Sequence, residues 1–170
     1  ELDIEKDLTI LGPGSGNLTV SGNGHSRVFH VSTVTVTISG LTIANGKDSQ
    51  GGGVFNAGTL TLLNDIITDN TAMVDGMDPN LGFGLSQGGG VLNDGNLTVT
   101  GCTITHNAAS GLGGNGGGIY SYETMTIRNS VITANTAYSG AGIYSSGGMV
   151  LSNCTITGNE APNQDQVFRL

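Results

Sequence analysis

The chain has 170 residues, of which 30 are glycine, none is tryptophan and only 11% are charged. Its formal net charge is −8, from 13 acidic and five basic residues, and no cluster of Lys or Arg exists. That balance argues against nucleic acid and against an anionic membrane surface as partners. No apolar run approaches the roughly 18 residues a helix needs to span a bilayer, and the recurrent Val, Ile, Thr and Leu argue for β-structure over disorder.

The chain opens on Glu1 and shows no signal peptide, which reads as a processed chain or an excised domain. Three short strand-like runs come first, at Leu2–Ile4, Leu8–Leu11 and 17–21. Gly12-Pro13-Gly14 and Gly22-Asn23-Gly24 punctuate them as turns. Further runs at 27–30, 33–39 and 41–44 complete a degenerate N-terminal portion, residues 1–46. Then GGGVFNAGTLTLLNDIITDNTA, from Gly51, recurs from Gly88, from Gly116 and from Gly140. Four regular repeats therefore occupy residues 47–161, and a polar tail occupies 162–170 of one domain.

Aligning the copies places Gly40, Asn64, Gly101, Asn129 and Asn153 in one column, with Gly22 expected to precede them. Gly and Asn are the residues that tolerate positive φ, so the column predicts a left-handed turn. The steps are 24, 37, 28 and 24 residues, a basic period of 24 with insertions of 13 and 4. Each period holds three strand signals: Val54-Phe55, Leu60-Thr61-Leu62 and Ile66-Ile67-Thr68 in the first copy. Three short strands and three turns describe one coil of a parallel β-helix. Helical repeats need longer runs of 3.6 periodicity, and propeller blades need a longer unit. The expected fold is all-β, a single-stranded parallel β-helix of about six coils stacked about 4.8 Å apart.

A second column reads Asn70, Asn107, Asn135 and Asn159, with Gly46 in the first coil. Stacked amides hydrogen-bond from coil to coil, so the column predicts an asparagine ladder inside a turn. Cys102 and Cys154 share a third column with Leu41 and, between them, Ser130. Two coils separate the cysteines by about 9.6 Å, beyond the reach of a disulfide. They are expected as free thiols packed as small apolar groups.

The phrases VTISGLTIANG (36–46) and GGGVFNAGTLTLLNDIITDNTA resemble bacterial surface and secreted proteins built from right-handed parallel β-helix repeats. The likeness is to the polymorphic outer-membrane-protein type, whose repeats carry a GG[AIV] motif. Here that motif is Gly52-Gly53-Val54, Gly89-Gly90-Val91 and Gly117-Gly118-Ile119, with Ala141-Gly142-Ile143 in the last copy. The resemblance implies an extracellular or cell-surface setting and an adhesin-like role. The expected function is a non-catalytic module for adhesion or glycan contact, with a polysaccharide or a host-cell component as partner. Right-handedness follows from the resemblance and from the general rule for parallel crossovers.

Four further features point to chemistry. A carbohydrate-active enzyme, a lyase or hydrolase, would need paired carboxylates or a placed base. The basic residues Lys6, Arg27, Lys47, Arg128 and Arg169 are scattered, and no carboxylate pair repeats on neighbouring strands. Asp69 and His106 do fall in one column on adjacent coils, a minimal acid–base unit; with no nucleophile or second carboxylate beside them, a surface salt bridge or hydrogen bond at a turn is the better account. The inserted loop 71–87 carries Asp75, Asp78, Asn80 and Phe83 as candidate binding residues. Asp75 and Asp78 are also candidate Ca²⁺ ligands, although Asp, Gly and Pro are ordinary turn residues; no other cofactor is implied. Thr35/Thr37, Thr59/Thr61, Asn96/Thr98 and Thr124/Thr126 form an array of the kind found on ice-binding β-helices. Threonine also suits outward strand positions by propensity alone. Finally, the open ends of a solenoid expose unpaired strand edges, so end-to-end self-association is expected.

Overall fold

A computed structural model describes residues 1–74, 86–111, 113–162 and 166–169. Among them every regular element is a strand, and every strand pair is parallel. The chain winds into a solenoid of about six turns with four faces. The first sheet has seven strands, from Leu2–Ile4 to Val167–Arg169. The second runs from Leu8–Leu11 to Met149–Ser152 and the third from Thr19–Ser21 to Thr155–Thr157, six strands each. These are the three strand signals of the sequence. A fourth, shorter sheet pairs Lys47–Asp48, Thr71–Met73 and Ala108–Ser110, and single bridges extend it through Thr136 to Glu160. Its residues carry no apolar run, so periodicity alone does not reveal it.

The first face recurs after 27, 25, 37, 28, 24 and 24 residues. The mean advance is near 27; the 24-residue period belongs to the coils without an insertion. Alternation on each strand sends one set of side chains inward. Val36, Leu60, Leu97 and Met125 stack on the second sheet, and Ile43, Ile67, Ile104 and Ile132 on the third, all at most 2% exposed. Under the fourth sheet the core is different. It is an alanine cluster of Ala72, Ala109, Ala137 and Ala141, with Ala161 packed against it.

Three polar columns turn the corners inside the solenoid. The asparagine ladder is as expected: Asn107 donates from Nδ2 to Asn135 Oδ1 at 3.0 Å and to the Ile67 carbonyl at 2.9 Å, and its Oδ1 accepts from both nitrogens of Asn70. At the far end Gln166 supplies the next amide, its Oε1 accepting from the Asn159 backbone and side chain. The second column is Asn56, Asn93, Ser121 and Ser145; bonds of 2.7 and 2.9 Å link the first three, and the two serine hydroxyls donate to the Glu123 and Gly147 carbonyls. The third holds Leu41, Asp65, Cys102 and Ser130, all 1% exposed, with Cys154 half-buried. No buried polar side-chain atom among the described residues lacks a partner, as a low-dielectric interior requires.

The corner between the second and third sheets holds Gly40, Asn64, Gly101, Asn129 and Asn153 at φ of 50 to 67°, as the sequence column predicts. Gly22 does not precede them. Gly12 does, donating its N–H to the Ser39 carbonyl, while Gly22 packs against Gly46 at the foot of the ladder column. A second left-handed column, not anticipated, runs through Asn45, Asp69, His106, Ala134 and Gly158 at φ of 52 to 64°. In the GGG motif the first glycine is left-handed (Gly51, φ 64°), and the third leaves room for the ladder: a Cβ on Gly53 would sit 2.9 Å from the Asn70 amide.

Candidate functional site

With the interior filled by core and ladders, any site must be built from outward side chains. On the second sheet these form an unbroken column of Thr9, Thr37, Thr61, Thr98 and Thr126, one per coil over five coils. Two residues earlier on each strand stand Thr35, Thr59, Asn96 and Thr124, all exposed, with the Thr124 hydroxyl 2.6 Å from Asn96 Oδ1. On the third sheet Thr68, Thr105, Thr133 and Thr157 make a four-coil column. Ile66, Val131, Gly148 and Val150 interrupt the neighbouring positions. Arg128 lies between Thr100 and Ser152, away from any carboxylate column.

The first sheet presents a different outer column: Asp3, His30, Phe55, Leu92, Tyr120, Tyr144 and Phe168. The rings stack face to face, Tyr120 on Tyr144 and Tyr144 on Phe168, each at 4.9 Å. Their faces are spent on one another, so the column stiffens the sheet and shows solvent mainly ring edges. Burial and the neighbouring Tyr122 raise the Tyr120 phenol well above its usual value. Near the N-terminal end, Arg27 binds Glu1 and Asp48 at 2.9 Å each and lies 5.2 Å from the Phe55 ring centre. His30, which the sequence leaves without a partner, meets Asp3 at 2.9 Å. Glu1, Asp3 and His30 bring ligand-type atoms within 4.8 Å of one another, but Arg27 neutralises Glu1 there.

Asp69 and His106 occupy adjacent coils as expected, both exposed. The structure does not join them: the Asp69 carboxylate accepts from Thr68 at 2.9 Å, and His106 Nδ1 meets the Thr105 hydroxyl at 2.9 Å. Their positive φ accounts for their column, since it belongs to the second left-handed corner. Asp75, Asp78, Asn80 and Phe83 lie outside the described residues.

The sequence reading missed two features. One is Asp65, a carboxylate in the cysteine column that accepts from the backbone N–H groups of Leu41 at 2.8 Å and Leu63 at 3.1 Å. Burial outweighs these bonds and pushes its pKa from 3.8 up to about 6. Burial likewise pushes the Cys102 thiol, its neighbour one coil on, up to about 12. The other is a groove of about 510 Å³ on the corner between the third and fourth sheets, lined by Asn23, Asn45, Lys47, Asp69, Thr71 and Met73. A hollow of about 400 Å³ shares Lys47 and Met73 with it and continues to His25, Asp48 and Ser49. Each left only a weak trace in the alignment columns: a single charge in a mostly apolar column, and a run of Asn, Asp and His beside the ladder.

No family model, curated protein or solved structure matches this chain. Architecture and side-chain chemistry therefore carry the functional argument.

Proposed function

We propose that this chain is a non-catalytic recognition module that works outside the cell or on its surface and contacts repetitive glycans. The observation that supports this reading is the five-coil threonine column from Thr9 to Thr126, flanked by the exposed Thr35–Thr124 column. Together they give a rigid face of donors and acceptors at intervals of about 4.8 Å. A hydroxylated polymer repeats in the same way, so successive coils can offer successive residues of the polymer the same hydrogen bonds. Each bond to water that is exchanged gains little alone; repetition on a preorganised surface supplies the affinity.

The setting rests on the resemblance of the repeats to bacterial surface β-helix proteins. The test is co-sedimentation of the chain with insoluble plant and microbial polysaccharides, with and without Ca²⁺, with released reducing ends assayed in parallel. Binding without cleavage is the expected result. Cleavage, or no binding to any polysaccharide, would overturn the reading.

A second reading is favoured by the grid itself. Two threonine-rich columns in register form a two-dimensional lattice of hydroxyls and methyls, which suits the surface of ice. Thermal hysteresis in a freezing-point measurement separates this reading from the first: a chain that binds polysaccharide and leaves ice growth unchanged excludes it.

A further inference from the structure

We infer that the groove at the corner between the third and fourth sheets is a binding site for a neutral oligosaccharide; this inference rests on the glycan-contact reading above and gives it a location. The groove is built from three successive coils, which contribute Asn23, then Asn45 and Lys47, then Asp69, Thr71 and Met73. It therefore runs along the solenoid axis, the direction in which a linear polymer meets the same corner again and again. Its volume of about 510 Å³ falls within the range of small-ligand sites, roughly 300–1,000 Å³.

The lining has the chemistry of sugar recognition. Asn23, Asn45 and Asp69 are exposed residues of the corner, all three at positive φ. Among the described residues, Asp69 uses one carboxylate oxygen on Thr68 and leaves Oδ1 without a donor. Asn45 makes a single long contact of 3.5 Å to Ser21, so its amide has both a donor and an acceptor to offer. A carboxylate that accepts from two vicinal hydroxyls, beside an amide that donates and accepts, is a pairing that hydroxyl-rich ligands satisfy and apolar ones do not. Met73, 41% exposed, supplies an apolar flank for the C–H face of a sugar ring. The Asp69 carboxylate lies exposed in the groove of a chain with net charge −8, so like-charge repulsion disfavours an acidic polymer there. The threonine column Thr68, Thr105, Thr133 and Thr157 runs beside the corner and extends the hydroxyl track past the groove.

The test uses the whole chain and fluorescently labelled hexasaccharides. Cellohexaose, chitohexaose and mannohexaose are the neutral probes, and hexagalacturonate is the acidic one. The variants are Asp69→Asn and Asn45→Gly, which remove groove chemistry while keeping residues that tolerate the left-handed corner. The control is His106→Asn, one coil beyond the groove in the same column; melting curves confirm that all three fold.

The expected result is binding of at least one neutral probe, weakened tenfold or more by Asp69→Asn and by Asn45→Gly and unchanged by His106→Asn. If the two groove variants bind within twofold of the parent, the groove assignment falls and the recognition-module reading stands. Binding of hexagalacturonate alone overturns the neutral class. A parent chain that binds neither these probes nor insoluble polysaccharide overturns both the groove and the module.

Discussion

Asp65 makes the stability of this fold depend on pH in a direction opposite to that of carboxylates held ionised by a positive partner. It stands where the columns of neighbouring coils hold Leu41, Cys102 and Ser130, and it is 1% exposed. Two backbone N–H bonds favour the ionised form, but desolvation wins and raises the pKa from 3.8 to about 6. The folded chain therefore holds a proton that the unfolded chain has released between those two values. Stability falls as pH rises through that window and levels off above it. A shift of about 2 units corresponds to about 3 kcal/mol. Cys102, the titratable neighbour, stays neutral throughout, with its thiol pushed up to about 12. Asp65→Asn removes the penalty and sacrifices one acceptor, that for Leu63, at about 1 kcal/mol. Urea unfolding of the variant and the parent at pH 4 and pH 7.5 should show the variant less stable by about 0.5 kcal/mol at pH 4 and more stable by about 2 kcal/mol at pH 7.5. The subtraction cancels the other acidic groups. An equal difference at both pH values would refute the argument, because it would mean that Asp65 is ionised in the fold.

Asn107 spends its full bonding capacity in the ladder, so Asn107→Ala strands partners on both sides and should cost about 3–5 kcal/mol in denaturant midpoint analysis. Ala134 has φ 54° with no side-chain compensation; Ala134→Asn should raise stability by about 0.5–1 kcal/mol, seen as a higher melting temperature. Both thiols are free, Cys102 buried and Cys154 half-buried. A thiol reagent should titrate Cys154 in the native chain and reach Cys102 only on unfolding. The ends of the described solenoid are apolar: Leu8 is 46% exposed and Leu151 38%, in columns whose middle coils are closed to water. Sedimentation velocity should therefore reveal concentration-dependent elongated species, and a strict monomer at high concentration would count against end-to-end contact.

The parts of the fold that repeat were legible, because each stacked position is sampled several times. Asn70 through Asn159 announces a ladder, since no other role restricts one inward turn position to Asn. Gly40 through Asn153 announces a left-handed turn for the same reason. Where the chemistry changes from coil to coil the signal disappears. Asp65 was hidden because its column-mates are apolar or small, and a single substitution in a column reads as noise. The second left-handed column was hidden because Asn45, Asp69, His106, Ala134 and Gly158 include residues that rarely take positive φ. Asp69 and His106 invited an acid–base reading because a shared column implies proximity of backbones, while reach depends on where each side chain turns. Each turns to its own preceding threonine. The fourth sheet failed for a further reason: its inward residues are alanines, too small to produce a hydrophobic period.

The same division separates what holds this molecule together from what it can recognise. Inward positions are committed. Each must match the coil above and below, and the three polar columns leave the corners no slack. Outward strand positions are free to vary in side chain but fixed in spacing, which suits ligands that repeat. The left-handed corner of Asn45 and Asp69 combines both properties. Its backbone favours Asn, Asp and Gly, although His106 and Ala134 also occupy it, and the favoured types carry either strong hydrogen-bonding groups or no side chain at all. A solenoid corner built this way acquires polar, outward, axially aligned side chains as a by-product of turning the chain. Recognition then needs only that neighbouring coils keep Asn and Asp where Gly would fold equally well. In the groove, Asn23, Asn45 and Asp69 are such residues, whereas the same corner three coils beyond Asp69 has relaxed to Gly158.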